Sequence, residues 1–490
     1  MMLAPPVPRP PQSFAARHRK KLVALAVLVI GPAVAHGVIS ATTHIDPPAL
    51  ALTTGEPAVS PADPDLRVLG PAYARHRGKI LEVRLAGTPE EIGHQHGRLL
   101  YPEMVENEGT LYQQFAHYVP VPPARWLMMD LSRLQFRHVD EGMPEARRRE
   151  IAAQAEAFAP DPYAGVLPTY HRFVFLNALY DIALSFEHSP LLGCTSFALT
   201  DGAALDGHVV LARNFDFEAG PVFDEKKAVF LVRETGRIPY ASVSWPGLVG
   251  AVSAMNAEGL ALVVHGGRAR QPRTVGEPIM HTMRELLGRA HTTEEALAIL
   301  RTTAPMVSHL VMLADATGDV AIAERAPGEP LFVRRGRGKV PLTNHFEGPL
   351  ADDPANRRVE AVTSTRPRRL RLDELLSNLS PGADVEAIVG VLRDHRAVGG
   401  DELALGNRRS IDALIATHSV VMDATARVIW VSEGPHLAGR YLRFDVGRLL
   451  DPSFQPGPAD PVATIPPDPI QTSGAYEAWV RAGSPHRGEP

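Results

Sequence analysis

Apolar and polar positions change their rhythm along this 490-residue chain. From Lys79 to Leu85 they alternate with period two, as in a half-buried strand. Helical spacing then takes over. Gly87-Thr88-Pro89-Glu90-Glu91 opens a helix with Thr88 as N-cap, Pro89 at the first helical position and Glu91 closing a capping box. Residues 143–158 and 168–186 continue in helical register. After Cys194 the pattern becomes that of strands. Cys194–Thr200 and His208–Arg213 are short runs separated by the turn signals Asp201-Gly202 and Asp206-Gly207. Further strands are predicted at Ala228–Arg233, Tyr240–Trp245, Val249–Met255 and Leu260–His265, the last two joined through Asn256-Ala257-Glu258-Gly259. Helices follow at 277–290 and 292–302, the second opened by Thr292 and Glu295. A second block holds strands His309–Ala314 and Asp319–Arg325, helices 368–379 and 384–395, and strands Ser419–Asp423, Arg427–Ser432 and Tyr441–Val446. Antiparallel strands alternating with pairs of helices predict an α+β protein with packed sheets and helices outside them.

The ends differ from this body. Arg17-His18-Arg19-Lys20-Lys21 precedes a nearly apolar run from Leu22 to Ile39, and Ala33-Val34-Ala35 has the small-x-small form of a cleavage site. Residues 1–39 are therefore expected to be a signal peptide or a transmembrane signal anchor, with the body exported to the periplasm or cell exterior. Residues 40–75 read as a Pro/Ala-rich linker and 451–490 as a Pro-rich tail.

Composition narrows the function. A 45% hydrophobic and 21% charged chain builds a sizeable core. The formal charge is −5, and no basic footprint marks a nucleic-acid surface. The twenty histidines contain no H-E-x-x-H pair. His94 and His96, two apart on a helix, do not face the same way. One cysteine excludes both an intramolecular disulfide and a cysteine metal cluster. No metal or cofactor is expected.

That cysteine is Cys194, within Leu191-Leu192-Gly193-Cys194-Thr195-Ser196-Phe197. A lone cysteine is most often a small buried hydrophobe. Its surroundings offer a second reading, as a nucleophile. A thiol reacts as thiolate, and an ordinary one is only roughly 3% ionised at pH 7. Arg213, at the end of the partner strand, is placed for a cross-strand approach to the thiol, and Asp216 follows three residues on. No histidine has an evident position as base. Cleavage of the Gly193–Cys194 bond would create one: the new α-amino group has a pKa of about 7.7–8.0, in the range that suits proton transfer at neutral pH. Attack of the thiol on the Gly193 carbonyl would give a thioester that water opens, and glycine accepts the backbone geometry this needs.

These features together resemble a known group. Gly-Cys-Thr-Ser-Phe followed by Arg213-Asn214-Phe215-Asp216 is similar to the N-terminal-nucleophile hydrolases, in particular the autoproteolytic cysteine family of penicillin (isopenicillin N / 6-aminopenicillanate) acyltransferase, with the choloylglycine hydrolases as relatives. Thr343-Asn344-His345-Phe346, the segment Gly87 to Gly97, Gly247-Leu248-Val249-Gly250 and Asn256-Ala257-Glu258-Gly259-Leu260 resemble further segments of that family. The similarity spans roughly residues 75–445. It implies a four-layer αββα sandwich of two antiparallel sheets over 194–450, preceded by a mainly helical alpha segment or pro-region at 76–193.

The resemblance also implies roles. Cys194 would be both autoproteolytic and catalytic nucleophile, Arg213 would support the thiolate, and Asp216 would bind the new α-amino group. Asn344 would donate to the oxyanion. His265, Asn256 and Arg409 are possible oxyanion or substrate-binding residues, with Arg408 and Arg440 as other candidates for a late arginine of the family. Blander readings stand beside these: Arg213–Asp216 as a surface ion pair, Asn344 as a turn cap, His345 as structural, Glu90 and Glu91 as helix N-terminal charges.

The expected activity is hydrolysis or acyl transfer on linear amides through a Cys194 thioester. The partners would be a small acyl-amide substrate and the chain's own alpha segment after cleavage, with no nucleic acid, and membrane contact only through the N-terminal segment. Two alternatives are a papain-like cysteine protease, disfavoured by Thr195 after the cysteine, and a membrane-anchored inactive binding or scaffold protein on the same fold.

Overall fold

The computed structural model describes residues 14–51, 54–185, 192–218, 222–457 and 462–486. Residues 1–13 of the expected signal, residue 186 of the predicted helix and Leu191 lie outside the described residues. The described chain begins with helix α1 (Phe14–Thr42) and four strands, β1 (Ala58–Ser60), β2 (Asp63–Leu69), β3 (Ala72–Arg77) and β4 (Ile80–Gly87). Six helices follow: α2 (Pro89–Leu99), α3 (Tyr101–Tyr118), α4 (Pro122–Gln135), α5 (Glu145–Ala157), α6 (Thr169–Asn177) and α7 (Leu179–Ser185). Strands β5 (Leu192–Leu199) and β6 (Val210–Phe217) form a hairpin, and the one-turn α8 (Val222–Glu225) leads to β7 (Ala228–Glu234), β8 (Tyr240–Ser244), β9 (Ser253–Asn256) and β10 (Ala261–Gly266). Helices α9 (Ile279–Arg289) and α10 (Thr293–Thr302) precede β11 (His309–Ala314), β12 (Val320–Arg325), β13 (Phe332–Gly336) and β14 (Lys339–Leu342). Helices α11 (Pro354–Val362), α12 (Thr365–Asn378) and α13 (Val385–Leu392) lead to β15 (Ala416–Asp423), β16 (Val428–Ser432) and β17 (Tyr441–Asp445). The tail holds α14 (Val446–Leu449), β18 (Thr464–Ile465), α15 (Pro469–Thr472) and α16 (Ala475–Arg481).

The strands form two sheets, ordered β1-β2-β3-β4-β7-β8-β9-β10-β11-β12-β13 and β14-β5-β6-β15-β16-β17-β18. Apolar residues of their inner faces, such as Leu211, Val229, Val263, Met312 and Val420, share one core. Helices α2, α5 and α9 cover the outer face of the large sheet through Ile92, Ile151 and Met283. Helices α12 and α13 cover the small sheet through Leu372 and Val389. This is the expected αββα order, α+β, with a mainly helical stretch between β4 and β5.

Three departures from the sequence reading are informative. First, strands stand where a linker was expected, at residues 58–60, 63–69 and 72–77. Buried charge hides the strand period there: Arg75 and Tyr73 both bond Glu82, at 2.8 and 2.9 Å. Second, β4 pairs in parallel with β7, so the stretch before Cys194 builds the large sheet rather than preceding it. Third, among the described residues no helix is long and apolar enough to cross a membrane, which corrects the transmembrane expectation for Leu22–Ile39. Helix α1 contains Pro32, and its C-terminal half makes polar contacts with α4. His36 Nδ1 stands 2.9 Å from Asp130, and Arg133 donates to Ser40 Oγ at 2.9 Å.

The Gly87–Gly97 segment is a packing device. Thr88 and Glu91 form the predicted capping box. A Cβ on Gly93 would lie 2.1 Å from the Glu150 carbonyl oxygen, and one on Gly97 would lie 2.7 Å from Ala157 Cβ. The two glycines, four apart on one helix face, let α2 lie directly against α5. From α5, buried Arg147 pairs with Glu150 and Glu234, while Arg284 of α9 reaches Glu150 at 2.7 Å and Glu234 at 3.2 Å. This network ties the segment before Cys194 to β7 and α9.

Candidate active site

Strand β5 carries Gly193 and Cys194 between β14 and β6. Its register with β6 sets Gly193 opposite Asp216, Cys194 opposite Phe215 and Ser196 opposite Arg213. Cys194 is fully buried. Arg213 Nη2 reaches its Sγ at 3.1 Å, the cross-strand approach expected from the hairpin. Asp216 lies against the backbone of Gly193: a Cβ there would stand 3.1 Å from Asp216 Oδ2. Arg213 and Asp216 are 0 and 4% exposed, so they are not a surface ion pair.

Asn344 follows β14 on the other flank. Its Oδ1 accepts from the Cys194 backbone N–H at 2.8 Å, and its Nδ2 donates to the Gly266 carbonyl at 2.9 Å. The amide therefore ties the strand of Cys194 to the end of β10 and is not a turn cap. His265 is also buried here, but its Nε2 is taken by Ser196 Oγ at 2.6 Å. Burial pushes the His265 imidazole well below its usual pKa, and Arg213 adds to this.

Two expected residues fall elsewhere, which corrects the sequence reading. Asn256 closes the β9–β10 turn: its amide donates to the Leu287 and Ala290 carbonyls at 3.0 and 2.8 Å, and its oxygen accepts from Glu258 and Leu260. Arg409 is exposed in a turn built on Asn407. Arg408 pairs with Glu218 and Arg440 with Glu433.

The arginine at the site is Arg368 of α12. Its Nη1 donates to the Cys194 carbonyl at 2.5 Å and to Thr195 Oγ1 at 2.8 Å, and its Nη2 donates to Asn344 Oδ1 at 3.0 Å. The sequence reading placed a helix at 368–379 but singled out none of the arginines Arg366, Arg368, Arg369 and Arg371. The signal was the helical stripe that Arg368 shares with Leu372 and Leu376, all buried.

Burial pushes the Cys194 thiol up, and the Arg213 guanidinium pulls the other way. Burial also raises Asp216 to about 6, opposed first by Arg368. In the uncleaved chain the thiol is thus held protonated beside two cations that favour its ionisation. What the constellation can do is covalent acyl chemistry: a thiol, a guanidinium on its sulfur, a carboxyl beside the preceding peptide, and an amide and a second guanidinium against its backbone. Among the described residues no group of three or more His, Cys, Asp or Glu side chains could hold a metal ion.

Comparison with known proteins adds to this geometry. Residues 204–398 match the family described as AAT, acyl-coenzyme A:6-aminopenicillanic acid acyl-transferase. The resemblance to the acyltransferase family holds. The matched stretch starts after Cys194 and takes in Arg213, Asp216, Asn344 and Arg368. An uncharacterized protein of Archaeoglobus fulgidus is 26% identical over 258 residues, 49% of this chain and 42% of that protein. The chain therefore spans less than half the length of that relative. Similar solved structures include a Caenorhabditis elegans N-acylethanolamine-hydrolyzing acid amidase ortholog (15% identity, 47% of this chain and 93% of that chain, TM-score 0.36). A penicillin V acylase from Agrobacterium tumefaciens (18%, 51 and 86%, TM-score 0.36) and a mutant conjugated bile acid hydrolase from Clostridium perfringens (13%, 56 and 97%, TM-score 0.33) are others.

Proposed function

We propose that this protein is a self-cleaving cysteine amidohydrolase or acyltransferase, exported through its 1–39 segment, that acts on linear amides through a Cys194 thioester. The observation that carries this reading is Arg213 at 3.1 Å from the only thiol of the chain, with Asp216 against the preceding Gly193. In self-cleavage, Cys194 Sγ adds to the Gly193 carbonyl carbon. The Gly193–Cys194 C–N bond breaks, the nitrogen takes up a proton as the α-amine, and water then opens the thioester to give the Gly193 carboxylate and free thiol. Asp216 holds the new ammonium. Asn344 Nδ2, which donates to the Gly266 carbonyl in the uncut chain, turns to the oxyanion of the next acyl group and donates to it. That group passes from the substrate amide to sulfur and then to water or an amine, with the α-amine carrying the proton.

A cleft between the segment before Cys194 and the sheet is lined by Leu111, Phe173, Leu176, Phe223, Trp245 and Leu248. Phe223 and Trp245 continue through Phe215 to the Cys194 strand pair, at ring separations of 5.4 and 5.9 Å. An apolar acyl group suits these walls. A panel of apolar and polar acyl amides, with acid quench and mass measurement of the Cys194 fragment, tests the reading. The expected result is an acyl adduct on Cys194 that favours apolar acyl groups. Turnover of every amide without an adduct, and unchanged in Cys194→Ala, would refute it.

A further inference from the structure

Arg213 spends its four terminal hydrogens on four acceptors. Nη2 serves Cys194 Sγ and the Val264 carbonyl, at 3.1 and 2.5 Å. Nη1 serves the Val252 carbonyl and Ser253 Oγ, at 2.5 and 2.7 Å. His418 Nε2 stands 2.8 Å from Ser253 Oγ. The serine hydroxyl, with one hydrogen and two lone pairs, thus bridges the guanidinium and the imidazole.

The fold makes a special arrangement to put this ring here. The pairing of β15 with β6 shifts between Ala416, opposite Asp216, and His418, opposite Phe215. The extra residue is Thr417. Without this bulge Thr417 would face Phe215, and His418 would be turned from the site. With it, Cys194, Phe215 and His418 stand in one row across three strands. Phe215 stacks against His418 at 5.1 Å and lies under the Arg213 guanidinium at 4.4 Å. His418 is fully buried, and burial holds its imidazole well below the usual pKa, which keeps the ring neutral.

We propose that Ser253 and His418 are a positioning pair that orients the Arg213 guanidinium on Cys194 Sγ. The proposal rests on the reading of Cys194 as nucleophile. Neither residue touches the reacting atoms; both act through Arg213. Loss of the Nε2 hydrogen bond lets the serine hydroxyl rotate and compete with Arg213 for its carbonyl acceptors, so the guanidinium loses its fixed aim at sulfur. Charged and titratable groups facing Cys194 from the packed elements are Arg213 and Asp216 on β6, Tyr180 on α7, His265 on β10 and Arg368 on α12.

Cys194 is the only cysteine, so ultraviolet thiolate absorbance against pH, with the Cys194-alkylated enzyme subtracted, reads this one group in the self-processed enzyme. His418→Phe keeps an aromatic ring but removes the hydrogen bond, and Ser253→Ala removes the link. Both are expected to raise the midpoint by about one pH unit, a roughly tenfold loss of thiolate at neutral pH. His418→Gln restores a hydrogen-bonding partner and is expected to return the midpoint toward wild type. A wild-type titration in His418→Phe or in Ser253→Ala, or a His418→Gln profile equal to that of His418→Phe, overturns the positioning pair. Amide cleavage retained in Cys194→Ala overturns instead the nucleophile reading beneath it.

Discussion

Two clusters of buried arginines divide this molecule by purpose. In the first, Arg147 and Arg284 face Glu150, Glu234 and Glu285, so each guanidinium meets carboxylates. In the second, the hydrogen bonds of Arg213 and Arg368 end on carbonyls, hydroxyls, an amide oxygen and the Cys194 sulfur. The first cluster is closed by carboxylates on both arginines; it fastens α5 to β7 and α9. The second holds two cations that bond no carboxylate, and Asp216 nearby is raised to about 6 by burial. A buried cation without a paired counter-ion is costly unless something nearby can become negative. On the proposed reading that group is the Cys194 thiol, and later an oxyanion. Carboxylate pairing marks the structural cluster, its absence the candidate reactive one.

The difference can be broken by mutation, strongest effect first. Arg213→Met removes the cation from sulfur and is expected to lower amide turnover by about 10²–10³-fold with little change in folded fraction, measured by kcat and circular dichroism. Full turnover in this variant would mean that the Arg213 charge does no chemistry. Glu150→Gln unbalances the other cluster. It is expected to cost about 3–5 kcal/mol in denaturant unfolding, while the protein that stays folded turns over normally. Equal damage to kcat would erase the contrast.

Asp216→Asn sharpens the sign of the local charge. Burial raises the folded-state pKa from the ordinary 3.8 to about 6, so the protonated carboxyl favours the fold. That contribution is complete below pH 3.8 and lost as pH rises through about 6. In the uncut Cys194→Ala background, the melting temperature with Asp216→Asn added should therefore gain on Cys194→Ala alone as pH rises across this window and hold its gain above it. A gain that shrinks with rising pH would contradict the burial argument. The smallest effect belongs to Asn256→Ala, which opens a turn outside both clusters: about 1–3 kcal/mol of stability and unchanged turnover per folded molecule.

Much of this was legible before any coordinates. The strands from Ala228 to Arg325 and the Thr88 capping box follow from period, turn residues and caps, which are local physics. The Cys194–Arg213 contact followed from hairpin register. What escaped were features set by distant partners. Arg75 beside Glu82 and Tyr73 disguised a strand as linker. Arg368 was hidden in an arginine run because its acceptors, Cys194 and Asn344, are 174 and 24 residues away in sequence. Asn256 and Arg409 came from the family resemblance, and both sit in turns held by their own local hydrogen bonds. The transmembrane reading counted apolar residues in α1 but not its Pro32 or its contacts with α4.

Intact mass of the purified chain tests the central claim most directly. Wild type should yield a fragment that begins at Cys194 and ends at residue 490, with its upstream partner, while Cys194→Ala stays whole. Catalytically active wild-type protein that remains a single uncut chain would contradict the account of Cys194 as a hidden N-terminus.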